Sequence, residues 1–489
     1  MSDRLPLRSV AILGARIVGL SAAIAFARAL PGLAVTLIET PADPAALADR
    51  MPGTLPSIAA FHDRIGLGEA DLLAAGTTHR IATRLSDWRA DGAPVVLAHG
   101  ERGGPVADGA FHQHWLNARR GGKVAAFDAF STAAVLGAAD RFVHPSDDPA
   151  SPVSGFDYAL RLDPPRYRGL LAALARHLGI VATVGQFTGI ERRADGGVSA
   201  LLLADGRRVV ADLYLDCAGP AAPLRAAIDT DWEDWRAFLP VDRLLLGTAP
   251  ARAPTPTDDL VAVPAGWRID APLRDRTLVG LAYTADQTPE SSARRILPGG
   301  TEIVPIAPGI RPAPWVHNVL AIGDAAVVLD PLGDTNLHLA QAAILRAIDL
   351  LPGRECAPTE LAEFNARSCR QAARVRDFQA AHYATDRVRG PFWKAVRHLP
   401  RPDSLAHTLD QFAHRGRLPF HEDESFDADD WRGLLLGLGP IPRLADPIAS
   451  QTPVEAVRAA LARMAETNAA LPSRLPPYPA YLTQLDRRR

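Results

Sequence analysis

The sequence lacks the features that mark several classes of protein. It has 53 Lys and Arg residues against 55 Asp and Glu residues, and this net charge of −2 gives no basis for a nucleic-acid or membrane-surface partner. Its three cysteines, Cys217, Cys356 and Cys369, are widely spaced with no CxxC pair, which excludes a disulfide framework and a thiolate zinc site. We therefore expect a cytoplasmic protein with no metal site.

Lysine residues and long apolar segments without a charged residue are also scarce. Only Lys123 and Lys394 offer a side-chain amine for chemistry. The first apolar stretch, from Val10 to Leu30, contains Arg16 and Arg28, so it predicts a strand, a turn and a helix rather than a membrane span or signal peptide. Hydrophobic residues make up 47% of the 489 residues and charged residues 22%, which predicts a large folded core.

The hydrophobic pattern predicts an α/β module near the amino terminus. Ser9 to Leu13 and Val35 to Glu39 have the pattern of buried strands, and Ile17 to Leu30 between them is an Ala-rich helix. Further regular segments are predicted at 165–178, 180–184, 197–203, 211–218, 319–323 and 335–351, the stretch 230–264 is interpreted as irregular, and the chain after 358 is mostly helical. The pattern is typical of a doubly wound parallel sheet assembled from separated segments.

The first turn of this module carries a degraded dinucleotide-binding motif. Gly14 and Gly19 stand at the first and third glycines of GxGxxG, and Glu39 ends the next strand, where an acidic side chain binds a ribose hydroxyl. Arg16 replaces the middle glycine, whose bare Cα normally admits a pyrophosphate, so the guanidinium either obstructs the phosphates or binds them. The motif favours a nucleotide site, and a plain structural turn remains the alternative.

A second turn of the same type follows the strand predicted at 319–323. Gly323 permits a sharp turn, and Asp324 offers a carboxylate to a polyol. Two such turns in one sheet favour FAD over the smaller NAD. Alone, an aspartate at this place is equally typical of a helix cap.

Several further segments resemble the flavin-dependent tryptophan halogenases, within the wider flavoprotein monooxygenase group. The similarity extends over nearly the whole chain, in the order of the family's motifs. The similar segments are Gly14 to Gly19, Gly53 to Pro56, Ile81 to Trp88, Phe111 to Trp115, Ala265 to Leu273, Trp315 to Pro352 and Asp377 to Trp393.

The resemblance implies an FAD-binding Rossmann-like module with an inserted and C-terminal, mainly helical substrate module. The expected boundaries are 1–60, 163–222 and 262–352 for the first and 61–162, 223–261 and 353–489 for the second. It further implies reduced FAD supplied by a separate flavin reductase, oxygen, chloride or bromide, and a small aromatic substrate. By the same resemblance, Thr335 and Asn336 are expected to bind the cofactor together with the residues of the two turns.

The catalytic pair of the family is replaced in this sequence. The family's lysine, which holds the electrophilic halogen, falls on Arg80, and its glutamate falls on Gly333, with Asp334 as the nearest carboxylate. A guanidinium stays protonated, so Arg80 can donate a hydrogen bond but is a poor haloamine precursor. We predict Arg80 and Asp334 as the catalytic residues of a divergent halogenase.

Two other functions remain open at this point. A flavin hydroxylase would oxygenate its substrate without halide and would need no lysine. A non-catalytic protein would keep the scaffold to bind a flavin or another ligand, which the replacements at Arg16, Arg80 and Gly333 favour. The substrate, its regiochemistry and the oligomeric state are not indicated by any motif.

Overall fold

The chain forms two compact units in a computed structural model that describes residues 5–387 and 389–487. The first unit contains the described residues up to Thr77 together with Leu162–Leu244 and Ile303–Arg374. The second contains Thr78–Arg161, Leu245–Glu302 and the described residues from Val375 onward. Each of the two units is therefore assembled from three separated segments of the chain.

A six-stranded sheet organises the first unit. Its strands in spatial order are Trp315–Val316, Val319–Ala321, Leu213–Asp216, Ser9–Leu13, Ala34–Glu39 and Ala182–Val184. Neighbouring strands are parallel except for the first pair, which is antiparallel. Parallel strands place their carboxyl ends at one edge, so the turns after Leu13, Glu39 and Ala321 share that edge, where ligands of such sheets bind.

Helices and two small sheets complete the first unit. The helices are Ile17–Ala29, Ile58–Ile65, Glu69–Ala74, Pro164–His177, Pro223–Ala226 and Thr335–Asp349, and the long helix Pro358–His382 begins in this unit. One antiparallel sheet contains Phe187–Arg192, Val198–Leu203 and Arg208–Val209, and the other contains Glu233–Asp234, Gly309–Ile310 and Val327–Val328. The first ten residues of the helix Ile17–Ala29 are buried, because its Ala-rich sequence packs closely against the parallel sheet.

A seven-stranded sheet organises the second unit. In spatial order it contains Gly300–Pro305, Arg243–Pro250, Arg276–Tyr283, Gly266–Pro272, Thr257–Val263, Ala82–Ser86 and Val95–Ala98. A separate antiparallel pair, Thr78–Arg80 with Ala159–Arg161, sets Arg80 opposite Ala159 and Arg161 opposite Thr78. The two arginines therefore lie at opposite ends of this short ladder.

The other elements of the second unit are helical. They are Phe111–Arg120, Thr132–Ala138, Glu290–Ile296, Pro391–Val396, Asp403–Arg415, Ala428–Leu438, Pro447–Gln451, Val454–Ala470 and Tyr478–Arg487. No helix among residues 5–387 and 389–487 combines the length and apolar character needed to span a membrane.

The predicted parallel α/β fold and helical C-terminal region are confirmed, whereas the large sheet of the second unit was not predicted. The interpretation of 230–264 as irregular is wrong, because Arg243–Pro250 and Thr257–Val263 are strands. Prolines and charges around these strands obscure their alternation. The compact units also divide the chain at other residues than the predicted modules, since they place 61–77 and 223–244 in the first unit and 262–302 in the second.

Candidate functional site

The two glycines of the first turn are required by the packing of the backbone. Gly14 has φ of +99°, and a Cβ added there would lie 2.6 Å from the carbonyl oxygen of Cys217. A Cβ on Gly19 would collide with the carbonyl oxygen of Gly14. The turn therefore keeps the close approach of strand and helix that a dinucleotide-binding motif needs.

Arg16 begins the helix Ile17–Ala29 and lies beside a carboxylate that the sequence analysis did not identify. Its Nε is 3.9 Å from Asp49 Oδ2. Asp49 Oδ1 accepts a hydrogen bond from the backbone N–H of Ile17 at 2.8 Å. Burial raises the pKa of Asp49, while the charge of Arg16 acts in the opposite direction. No sequence signal separates Asp49 from Asp43, the other aspartate of the segment 41–56.

Glu39 lies where the motif predicts a ribose-binding carboxylate. It ends the strand Ala34–Glu39, and its Oε1 accepts a hydrogen bond from Arg168 Nη2 at 2.8 Å. Glu39, Arg168 and Arg176 line a cavity of about 410 Å³ between the sheet and the helix Pro164–His177. The cavity lies within the first unit and has both a carboxylate and guanidinium groups at its wall.

Asp324 is buried at the second turn. Gly323 has φ of +67°, and Asp324 Oδ2 accepts a hydrogen bond from the backbone N–H of Ala48 at 2.9 Å. Burial and, to a smaller extent, the nearby charge of Asp49 raise the pKa of Asp324 to about 7, while the hydrogen bond from Ala48 acts in the opposite direction.

The residues after the second turn place two more predicted cofactor-binding side chains in the same unit. Thr335 and Asn336 are buried at the start of the helix Thr335–Asp349. Asn336 Nδ2 donates to Asp324 Oδ1 at 3.4 Å, whereas its Oδ1 is buried without a hydrogen-bond partner among the described residues. Such an orphaned acceptor suits a ligand that carries hydroxyl groups.

Gly333 and Asp334 both adopt left-handed backbone conformations, with φ of +72° and +56°. The carboxylate of Asp334 packs directly over the Cα of Gly53, since a Cβ there would overlap it. The position predicted to correspond to the family's glutamate is a glycine, and the carboxylate of the next residue, Asp334, is directed by an uncommon backbone conformation.

Arg80 lies in the second unit within a buried ionic cluster. It is 1% exposed, and its Nε is 3.6 Å from Asp258 Oδ2. Asp258 Oδ1 accepts a hydrogen bond from Arg161 Nε at 2.7 Å. Arg161 also donates to Thr78 Oγ1 and to the carbonyl oxygens of Thr255 and Pro272. One carboxylate therefore holds two guanidinium groups in fixed positions.

A neutral histidine adjoins this cluster. His99 Nε2 lies 3.4 Å from Arg80 Nη2. Burial lowers the pKa of His99 well below its usual value, and the charges of Arg80 and Arg102 lower it further. With two guanidinium groups and one carboxylate, Arg80, Arg161 and Asp258 together carry one positive charge. The sequence analysis missed Arg161 and Asp258, because they are remote from Arg80 in the chain.

Aromatic residues from the predicted motifs form a second cluster in this unit. Trp88 lies edge-on to Trp393, with ring centroids 4.9 Å apart, and its Nε1 donates to the carbonyl oxygen of Leu260. Trp267 Nε1 donates to the hydroxyl of Tyr383 at 3.1 Å. These side chains are buried and their polar atoms are hydrogen-bonded, so the tryptophans form part of the core of this unit.

The structure brings together some predicted residues and not others. The first unit contains Gly14, Arg16, Gly19, Glu39, Gly323, Asp324, Asp334, Thr335 and Asn336, and the second contains Arg80. Their roles remain predictions. The glycine turns, the cavity beside Glu39 and the orphaned oxygen of Asn336 fit a dinucleotide cofactor, except at the amino terminus of the helix Ile17–Ala29, where Asp49 occupies the backbone donors.

Comparison with known proteins identifies the family. The family model described as tryptophan halogenase matches residues 9–454. The tryptophan 7-halogenase RebH of Lentzea aerocolonigenes is 25% identical, with 91% of this chain and 92% of that protein covered.

Solved structures agree with this match. BrvH, a flavin-dependent halogenase from Brevundimonas sp. BAL3, superposes with a TM-score of 0.91 at 30% identity and covers 98% of this chain and 99% of its own. Xcc4156, a flavin-dependent halogenase from Xanthomonas campestris, has the same TM-score at 28% identity and covers 98% of each chain. The predicted flavin class of cofactor is thus confirmed at the level of the family. The chain belongs to the tryptophan halogenase family.

Proposed function

We propose that this protein is a flavin-dependent oxidoreductase that halogenates an electron-rich aromatic substrate. It would use reduced FAD from a separate reductase, dioxygen, and chloride or bromide. Membership of the family and 30% identity to a flavin-dependent halogenase support the reaction class. The three unpaired cysteines fit a reducing, cytoplasmic location.

The first unit would hold the cofactor. FAD, when bound and reduced, supplies the activation of dioxygen from which the halogenating oxidant derives. Glu39 would accept hydrogen bonds from a ribose, and Asp324 and Asn336 would bind hydroxyl groups of the cofactor. The glycine turn would let the backbone approach the diphosphate.

The observation that carries the proposal is the buried cluster around Arg80. A lost catalytic site has no need to keep a cation in the core, because an apolar residue of similar volume is often at least as stable as a buried ion pair. Here Arg80 is held by Asp258 and adjoins a neutral His99. Its guanidinium would donate hydrogen bonds to the halogenating oxidant.

Asp334 would act as the displaced carboxylate. A carboxylate near the substrate ring stabilises the positive charge that develops as the ring attacks the halogen. Asp334 is one residue from the family's glutamate position, and its left-handed backbone redirects the shorter side chain.

The test is a halogenation assay with purified protein, a flavin reductase, NADH, FAD, oxygen, bromide and indole, followed by mass spectrometry. We expect brominated product from the wild type, a loss of at least tenfold for Arg80→Met, and retained activity for Arg84→Met. Arg84 is the matched control because it lies on the neighbouring strand Ala82–Ser86, is partly exposed and also has a carboxylate partner, Asp259. No brominated product from flavin-loaded wild type would contradict the proposal.

Two alternatives are separated by the same assay. Oxygenated product without halide would identify a hydroxylase. A non-catalytic flavin- or ligand-binding protein would give neither product. The hydrogen bond from the backbone N–H of Ile17 to Asp49 favours this second candidate, because it occupies a donor at the start of the helix Ile17–Ala29. In a non-catalytic protein, Arg80→Lys combined with Asp334→Glu would restore no halogenation.

A further inference from the structure

One short segment of the first unit forms hydrogen bonds with both of the turns that are predicted to bind the cofactor. The segment 43–51, which we call the inner segment, follows the strand Ala34–Glu39. Leu47, Ala48 and Met51 in it are 0%, 1% and 4% exposed. It is therefore packed into the unit, although the sequence predicts no helix or strand there.

The inner segment places an anion at the amino terminus of the helix Ile17–Ala29. The backbone N–H groups at such a terminus point outward and carry a partial positive charge, so they bind phosphate. Asp49 Oδ1 takes up the backbone N–H of Ile17, and Arg16 Nε lies 3.9 Å from its other oxygen. The carboxylate thus occupies a backbone donor that the motif offers to a diphosphate.

The same segment also engages the second turn. The backbone N–H of Ala48 donates to Asp324 Oδ2 at 2.9 Å. At its other end, Asp43 accepts hydrogen bonds from the backbone of Ala45 and Ala221. Polar groups expected to face a cofactor are therefore satisfied by the chain itself.

We infer that the inner segment is an internal competitor of the FAD diphosphate, with the Asp49 carboxylate in the place of a phosphate. This inference depends on the proposed function in one respect only, namely that the cofactor is FAD. Two anions cannot share the same backbone donors, so the binding of a diphosphate requires the release of Asp49. The apparent affinity is then lowered in proportion to the fraction of molecules in which the segment is docked.

The first experiment measures the binding of ADP, which carries the diphosphate of FAD without the flavin, by calorimetry. We expect Asp49→Ala to bind ADP and FAD about tenfold more tightly than the wild type, which corresponds to about 1.4 kcal/mol. Asp49→Asn, which keeps an oxygen acceptor but loses the charge, is expected to lie between them. Asp63→Ala is the matched control, because Asp63 is an exposed aspartate of the same unit, on the helix Ile58–Ile65. Adenosine, which lacks phosphate, should bind all four proteins equally.

The second experiment needs no substitution and therefore does not depend on the folding of a variant. Hydrogen–deuterium exchange of the wild type is followed in peptides that contain the inner segment. Saturating ADP should accelerate exchange of these amides at least threefold, because Ala48 loses its acceptor on Asp324, whereas adenosine should leave them unchanged. Slower or unchanged exchange with bound ADP would overturn the inference.

The outcomes distinguish the inference from the proposed function. Equal ADP affinity in the wild type and Asp49→Ala overturns the inference and leaves the proposed function intact. Tighter binding by Asp49→Ala without halogenated product supports the inference and overturns the proposed function. A failure of every protein to bind either ADP or FAD overturns both.

Discussion

Two arginines that the sequence predicts to replace family residues, Arg16 and Arg80, lie in different environments. Arg16 lies at a helix start with 32% of its side chain exposed, and its nearest carboxylate atom is 3.9 Å away. Arg80 is buried beside Asp258, which also binds Arg161 through a hydrogen bond of 2.7 Å. A guanidinium near solvent needs little compensation, whereas a buried one needs a fixed counter-charge.

The two regions should also differ in what disrupts them. The first turn depends on the close approach of backbone atoms, which a single methyl group disturbs. The Arg80 cluster depends on charge, and its volume is less critical. A substitution that adds volume should therefore destabilise the first turn more than the Arg80 cluster. A substitution that removes a charge should destabilise the Arg80 cluster more than the first turn.

The largest effect is expected for Asp258→Ala. It leaves Arg80 and Arg161 buried without their shared carboxylate, which should lower the free energy of unfolding by about 3–5 kcal/mol. Urea denaturation followed by tryptophan fluorescence measures this value. Asp259→Ala is the control, because Asp259 is 37% exposed and pairs with the partly exposed Arg84, so its loss should cost less than about 1 kcal/mol. Equal effects of the two substitutions would show that the cluster is not electrostatically coupled.

A smaller but substantial effect is expected for Gly19→Ala. The added methyl would collide with the backbone carbonyl of Gly14, which no side-chain rotation can relieve. We expect a loss of about 3 kcal/mol in the free energy of unfolding. Gly189→Ala serves as the control, because no atom lies within 4 Å of a Cβ at that position. A Gly19→Ala variant as stable as the control would mean that the first turn is not closely packed.

The smallest effect is expected for Arg16→Met. Its pair with Asp49 is long and partly exposed, so the free energy of unfolding should change by no more than about 0.5 kcal/mol. The same denaturation assay measures it, with Arg8→Met as the surface control. A loss of several kcal/mol would make the Arg16 environment equivalent to that of Arg80 and remove the contrast between the regions.

The first unit was largely predictable because its signals are local. The strand Ser9–Leu13, the helix Ile17–Ala29 and the strand Ala34–Glu39 each correspond to a mainly apolar run of suitable length, and glycines mark the turns. Residues predicted to bind the cofactor, such as Glu39 and Asp324, consequently lie in one unit. Asp49 was missed because a carboxylate in a connecting segment has no local pattern that reveals its partner.

The second unit was less predictable because its sheet is formed by distant segments. The strands Ala82–Ser86 and Thr257–Val263 pair in parallel across a long separation in the chain, and their short patterns are interrupted by charged residues. For the same reason the sequence identified Arg80 but neither Asp258 nor Arg161. Pairing of this kind depends on long-range contacts rather than on local propensity.

The sequence by itself determined the α/β order of the first unit, the two glycine turns and the family resemblance, and it predicts the replacement of the family's lysine and glutamate. Those features depend on residue type and spacing along the chain. The tertiary structure decided which partners these residues have. Arg80 pairs with a carboxylate that it shares with Arg161, and the amino terminus of the helix Ile17–Ala29 donates a hydrogen bond to Asp49. Electrostatic and hydrogen-bonding partners are selected by distance in space, which the order of residues does not specify.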